Sequence, residues 1–241
     1  MIEISQVSKF RGTVSVLANV SFSIKEKGLV ALLGPNGSGK TTLLRLMSGY
    51  LQPCSGRVVI GDQAGELDTR SQMGYAPEVP PLYDELTLGE YLHYVGALRG
   101  VPGRALSLAT QAVLEQCQLL DHQHRLCGAL SKGMRQRANI AQAIIHRPAV
   151  LLLDEPASGL DPEQLSHFNE LLQKLGSQSV ILLSTHLLNR IPNSCSRALL
   201  LHNGYLRADV RFECQAELEA RYFEILSARK SETLIANTVH G

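Results

Sequence analysis

Nowhere in its 241 residues does the chain hold an apolar run approaching the ~18 residues that a membrane-spanning helix needs, so no span is expected. The opening residues, MIEISQVSKF, lack the apolar stretch of a secretory leader. A surplus of one charge sign is also missing. The 23 Lys and Arg balance 22 Asp and Glu to a formal net charge of +1, and the basic residues are scattered, which leaves no electrostatic footprint for nucleic acid. The five cysteines, Cys54, Cys117, Cys127, Cys195 and Cys214, form an odd set without a C-x-x-C pair, as expected of free thiols in a reducing compartment. Internal repeats and low-complexity tracts are absent. Any work at a membrane would have to be done through a partner.

What the chain does have is apolar residues, 44% of the total, enough for a sizeable core in one domain with lobes. Strand-like and helix-like patterns alternate, which favours an α/β fold. ISQVSKF and VLANVSFSIKEKG give alternating runs, and GLVALLG reads as a buried strand ending in glycine. From Thr87 to about His146 the pattern turns helical. Leu88, Tyr91, Leu92 and Val95 share one face, and Thr87 with Glu90 makes a capping box. Buried-strand patterns return at AVLLLD (149–154) and SVILLST (179–185). ALLLHNGYLRADV then reads as a hairpin turning at Asn203-Gly204.

The strongest chemical signal is GPNGSGKTT (34–42), where an apolar strand ends and a leucine-rich helix begins. Gly34, Gly37 and Gly39 let the backbone curl so that successive N–H groups point inward, toward phosphate oxygens at the positive end of the helix. Lys40 can reach the terminal phosphates as a point charge, and the Thr41 hydroxyl can ligate Mg²⁺. VLLLDEP is the second signal. Four apolar residues carry a strand that delivers Asp154 and Glu155 at its C-terminal end, the edge where open α/β sheets bind ligands. Asp154 is placed to hold Mg²⁺, and Glu155 to orient or deprotonate an attacking water.

In this order the motifs resemble the ATP-binding subunit of an ABC transporter over roughly residues 1–210. GPNGSGKTT resembles that family's Walker A, LSKGM (130–134) its signature, VLLLDE its Walker B, SGLD (158–161) its D-loop and STH (184–186) its switch histidine. The resemblance implies a P-loop, RecA-like α/β core with an antiparallel β lobe and an inserted helical subdomain. It places one ATPase domain over 1–227, the core at about 1–77 and 149–227 and the helices at about 78–148, followed by a polar tail at 228–241. It also implies ATP and Mg²⁺ as ligands. Gly34, Pro35, Asn36, Gly37, Ser38, Gly39, Lys40, Thr41 and Thr42 would then hold the nucleotide, with Glu155 and His186 catalytic. Thr41, Asp154 and Glu78, the last standing where the family usually has a glutamine, would hold the metal. Phe10, beside Arg11, is the expected adenine-stacking aromatic.

Ser131 can cap the helix that follows, and Gly133 is expected to keep its first turn open to an incoming phosphate. By resemblance that phosphate belongs to ATP held by a second copy in a head-to-tail, ATP-dependent homodimer. Arg135 and Arg137 are expected to form ion pairs within the subdomain. Asp161, before Pro162 and three before Gln164, has the pattern of a helix cap as well. Asp121, His122, His124 and Cys127 lack a second ligand pair and are not expected to bind metal. The family implies a peripheral protein on the cytoplasmic face of the membrane, driving transport through a separate membrane-spanning permease, with the exporter (ABC-2-like) branch favoured. Residues 79–100 would dock the permease, chiefly through Leu82, Tyr83 and Leu86. An ATPase of the same family working on a ribosome or nucleic-acid complex is the alternative. A guanine-reading N-K-x-D is absent, which weighs against a GTPase.

Overall fold

The structure, a computed structural model, describes residues 1–61 and 72–225. Two alternating strands, β1 (Ile2–Arg11) and β2 (Val14–Ile24), pair antiparallel and bury Ile2, Ile4, Val7, Leu17, Val20 and Ile24 on one face. After β3 (Gly28–Leu33) the chain turns through residues 34–39 into α1 (Lys40–Met47). Then β4 (Ser55–Ile60) completes a three-stranded sheet of order β2-β1-β4.

Next, β5 (Met73–Ala76) leads into three helices, α2 (Leu88–Leu98), α3 (Gly103–Gln116) and α4 (Lys132–Ile144). The chain returns through β6 (Val150–Asp154), α5 (Pro162–Gly176), β7 (Val180–Thr185), β8 (Arg197–His202) and β9 (Tyr205–Arg211), and residues 215–225 are helical. The larger sheet has the order β5-β6-β7-β3-β8-β9, parallel except for β9.

The almost uniformly apolar β3, β6 and β7 need cover on both faces, and alternation divides their residues between two cores. Leu29, Ala31, Leu33, Leu151, Leu153, Ile181 and Leu183 pack with apolar residues of α2 to α5. Val30, Leu32, Val150, Leu152, Val180 and Leu182 pack with α1 and the three-stranded sheet. Each buried Val, Leu or Ile among them contributes about 1.5–3 kcal/mol. Because α1 buries Leu43, Leu44, Leu46 and Met47 in the second core, its N-terminus is fixed at the carboxyl edge of the larger sheet.

The inserted helices start and stop as their sequences require. The Thr87 hydroxyl accepts from the Glu90 N–H at 3.3 Å, and Glu90 Oε2 accepts from the Thr87 N–H at 2.9 Å. Ser131 caps α4 by accepting from the Met134 N–H, and Asp161 caps α5 by accepting from the Gln164 N–H. Buried polar side chains of α4, unremarked in the sequence, tie this helix to β5 and the residue after it. Asn139 Nδ2 donates to the Pro77 carbonyl at 2.6 Å and Gln142 Nε2 to the Tyr75 carbonyl at 2.9 Å. Arg135 makes the expected ion pair, with Asp84 at 2.8 Å. Arg137 departs from expectation. It donates instead to the Cys117 and Gln118 carbonyls, which the end of α3 leaves without helical partners.

The docking expectation for residues 82–86 also needs correction. Leu82 is buried, and Leu86 packs partly buried against the helical core, because the turn into α2 closes over that core. Of the three only Tyr83 is exposed. It stands edge-on to Tyr91 and beside Tyr94, with ring centroids 5.9 Å apart in each pair, and Val79, Tyr94 and Leu98 are exposed too. The tail named from the sequence, 228–241, lies outside the described residues.

Just past α4, His146 places Nε2 3.2 Å from the Met73 carbonyl of β5. Burial, followed by the nearby Arg99 charge, pushes this imidazole down to about 4 from 6.5. The unfolded chain therefore takes up the proton first, and the stabilising effect of neutral His146 is lost as pH falls from about 6.5 toward 4. Urea midpoints at pH 7.0 and 5.0 should differ more in the wild type than in His146→Gln, which keeps an N–H donor but cannot titrate.

Candidate functional site

Parallel pairing sets the site. Leu33 is level with Thr185 and Asp154 with Ser184, so the turn after β3 and the ends of β6 and β7 meet at one sheet edge. The turn is tight. Its Ser38 N–H donates to the Pro35 carbonyl, and Gly39 adopts φ 107°, a left-handed value that suits glycine and directs the chain into α1.

Lys40, the first residue of α1, has only 6% of its side chain exposed. Its Nζ donates to the Gly34 carbonyl at 2.8 Å and the Pro35 carbonyl at 3.2 Å, and lies 3.6 Å from Glu155 Oε1. The same Glu155 oxygen is 3.0 Å from His186 Nδ1. Beneath them Asp154 Oδ1 accepts from Thr41 Oγ1 at 3.3 Å and from Ser184 Oγ at 2.7 Å. Ser184 Oγ in turn accepts from the Glu155 N–H at 3.0 Å, holding Glu155 at φ 46°, a left-handed conformation that costs a non-glycine residue about 1–2 kcal/mol. Strain of this kind is held only where neighbours over-determine the backbone.

Among the described residues, two buried oxygens here have no hydrogen-bond partner, Ser38 Oγ and Asp154 Oδ2. Leaving a carboxylate oxygen and a hydroxyl buried and unpaired is costly, whereas a phosphate and a hard divalent cation would satisfy both. Thr41 and Asp154 supply oxygen donors only, the chemistry that Mg²⁺ selects over softer metals. The arrangement is therefore suited to holding a polyphosphate beside a carboxylate.

Of the residues singled out in the sequence, Lys40, Thr41, Asp154, Glu155 and His186 join one bonded cluster. Gly34, Pro35, Asn36, Gly37, Ser38 and Gly39 make the turn around it, and Thr42 lies partly buried in α1. Four others stand outside. Phe10 is half exposed near the end of β1, opposite Ser15 of β2. Glu78 is exposed, two residues beyond Ala76, the β5 partner of Leu153, and outside the cluster.

Ser131 is exposed at the start of α4, but Gly133 is buried, and the place a Cβ would take is filled by the Gln164 side chain. The expected openness of that turn thus belongs to Ser131 and the exposed Lys132. Gly133 provides close approach between α4 and α5. Ser184 stands in the STH motif, but the motif gives it no role. The available signal was a hydroxyl within the otherwise apolar VILLST strand, one residue before Thr185-His186.

A strand, a glycine-rich turn wrapped about a buried lysine, a helix, and two acids at the end of a neighbouring parallel strand together define a P-loop nucleoside triphosphate hydrolase. Comparison with known proteins narrows the class. The ABC transporter family model matches residues 17–158, and the chain belongs to that family. An uncharacterized ABC transporter ATP-binding protein of Bacillus subtilis, YxlF, is 37% identical over 205 residues, 85% of this chain and 68% of YxlF. The SkfA peptide export ATP-binding protein SkfE of the same organism is 32% identical over 239 residues, 96% of this chain and 99% of SkfE. A solved ATP-binding subunit of an ABC transporter superposes with TM-score 0.79 at 31% identity, covering 88% of this chain and 90% of its own. The chain is an ATP-hydrolysing subunit of this family, and no helix among the described residues is long and apolar enough to cross a membrane.

Ser184→Ala should lower kcat about tenfold or more at saturating ATP and cost about 1–3 kcal/mol of stability, because Asp154 Oδ1 loses a donor and the Glu155 N–H its acceptor. ATPase assays together with urea melts check both effects.

Proposed function

We propose that this protein hydrolyses ATP in a Mg²⁺-dependent manner at two sites shared by a head-to-tail homodimer. We infer that it thereby drives export through a separate membrane-spanning subunit, lying on the cytoplasmic face of the membrane. The bonded cluster of Lys40, Thr41, Asp154, Glu155, Ser184 and His186 is the observation that carries the hydrolytic half. Near full-length similarity to SkfE, whose name describes peptide export, supports the transport half.

In this reading Lys40 exchanges its bonds to the Gly34 and Pro35 carbonyls for bonds to the terminal phosphates, aided by the inward N–H groups of residues 34–42. Thr41 and Asp154 would hold Mg²⁺, with Glu78 reaching it through water, and the ion would supply positive charge to the phosphate oxygens. Glu155 takes the proton of the attacking water. His186, oriented by its contact with Glu155, donates to the γ-phosphate. Phe10 stacks on adenine from the end of β1.

Lys40 and Thr41 surround one side of the phosphates, so the outward side needs a second anion site. Ser131 and the N-terminus of α4, from a second copy, supply it, with Gly133 close behind. ATP then closes the dimer. Loss of the γ-phosphate weakens the contact, and the opening motion passes to the membrane partner.

Mixing Lys40→Ala and Ser131→Arg chains tests the shared site, since each is expected to be inactive as a homodimer. In a mixed dimer both lesions fall in one site and leave the other intact, so ATP-induced dimerisation and part of the turnover should return. Verified heterodimers that recover neither, alongside normal ATP-dependent dimerisation of Ser131→Arg alone, would reduce Ser131 to a helix cap.

For the partner, the exposed Tyr83 and Tyr94 are the better targets on residues 79–100. Replacing both with Glu should release the protein from membranes and leave its own ATPase rate within about twofold, since neither ring touches the nucleotide site. A charged pair that stays membrane-bound would place the docking surface elsewhere.

A further inference from the structure

The Asn203-Gly204 turn joins β8 to β9 and stands outside every nucleotide motif, yet it touches the phosphate-binding turn directly. The Gly204 N–H donates to the Ser38 carbonyl at 3.0 Å, and the Gly204 carbonyl accepts from the Ala18 N–H at 2.9 Å. Asn203 at φ 48° and Gly204 at φ 79° are both left-handed, as a type I′ hairpin turn requires. A Cβ on Gly204 would fall 2.6 Å from the Val16 carbonyl oxygen. Two residues before Asn203, the Leu201 carbonyl of β8 fills the space a side chain on Gly34 would need. On the other side, a Cβ on Gly39 would fall 2.7 Å from Leu17 Cδ2. The phosphate-binding turn is thus seated at its first glycine, its serine and its last glycine on β8, the hairpin turn and β2.

We propose that Gly204 is a positioning residue for nucleotide binding: the hairpin turn acts as a strut that holds the Ser38 peptide and thereby the inward-facing N–H groups of residues 34–42. A side chain at 204 pushes the turn away from Val16 and draws its N–H off the Ser38 carbonyl. The cradle must then reorder each time phosphate binds, a cost borne equally by the ground and transition states. Such a change raises Kd and KM and leaves kcat nearly untouched. The inference rests on the assignment of residues 34–42 as the phosphate loop, which Lys40→Ala tests separately.

The experiment measures ATP binding by calorimetry in the presence of Mg²⁺, and steady-state ATPase kinetics, for the full chain carrying Gly204→Ala. Gly100→Ala is the control. Gly100 has the same φ of 79° but no described residue within 4 Å of its Cβ position, so it shares the backbone strain without the contact. The expected result is a rise of about tenfold in both Kd and KM for Gly204→Ala, with kcat within about twofold, and changes under twofold for Gly100→Ala. Asn203→Gly, which keeps the left-handed turn, should bind ATP like the wild type. If Gly204→Ala does not accumulate as folded protein, inserting one glycine between Asn203 and Gly204 displaces the same N–H without adding a Cβ, and the same shift is expected. A Kd within twofold of wild type in the folded variant, or an equal rise in Gly100→Ala, would overturn the proposal even where Lys40→Ala abolishes binding.

Discussion

A lysine ammonium enclosed by protein is the constraint on which the site depends. Lys40 is placed there by backbone geometry, as the first residue of a helix whose other face fills a core. Two carbonyls and one carboxylate oxygen compensate its charge. Isolated buried cations are expensive, so each partner must be held firmly in turn. Ser184 does this for the acids, since one hydroxyl both donates to Asp154 and accepts from the strained Glu155 backbone. An anion arriving at the turn competes for a donor set that is already assembled, which is the pre-organisation that electrostatic catalysis needs.

The inserted helices depend on the same sheet in a different way. Along β5 and just beyond it, three side chains from α4 and the residues after it, Asn139, Gln142 and His146, meet carbonyls at Pro77, Tyr75 and Met73. Such a row fixes the register of helix against strand more closely than apolar contact alone, because each buried amide has few alternative partners. The strand so gripped leads directly to Glu78 and to the exposed aromatic surface around Tyr83. These bonds link α4 physically to the segment that carries that surface. In the proposed cycle this path connects the exposed N-terminus of α4, facing a second nucleotide, to the membrane partner.

Much of this was legible in the chain itself. Apolar runs with glycine or acids at their ends marked β3, β6 and β7, the hairpin was written in Asn203-Gly204, and the caps at Thr87, Ser131 and Asp161 were readable because capping is local chemistry within three or four residues. The turn at 34–42 and the acids at 154–155 were equally plain, since phosphate binding and strand-end carboxylates impose short, fixed spacings. Less legible were β4 and β5, short strands defined by their neighbours. The burial of Leu82 and Leu86 is not legible either, since burial of a loop leucine depends on what folds over it.

Sequence alone thus determined the family, most strands and helix caps, and the motif residues proposed to react, each read from segments no longer than a strand, a turn or a helix end. Tertiary structure decided which residues meet. Ser184 became the hinge of the acids only because parallel register sets it beside Asp154. Gly133 proved a point of close approach because α5 lays Gln164 across it, and Gly204 came to rest on the Ser38 carbonyl because β8 runs alongside β3. These pairings join residues 30 to 166 positions apart, and no local pattern encodes them; they follow from strand order and helix packing, which the whole core selects at once.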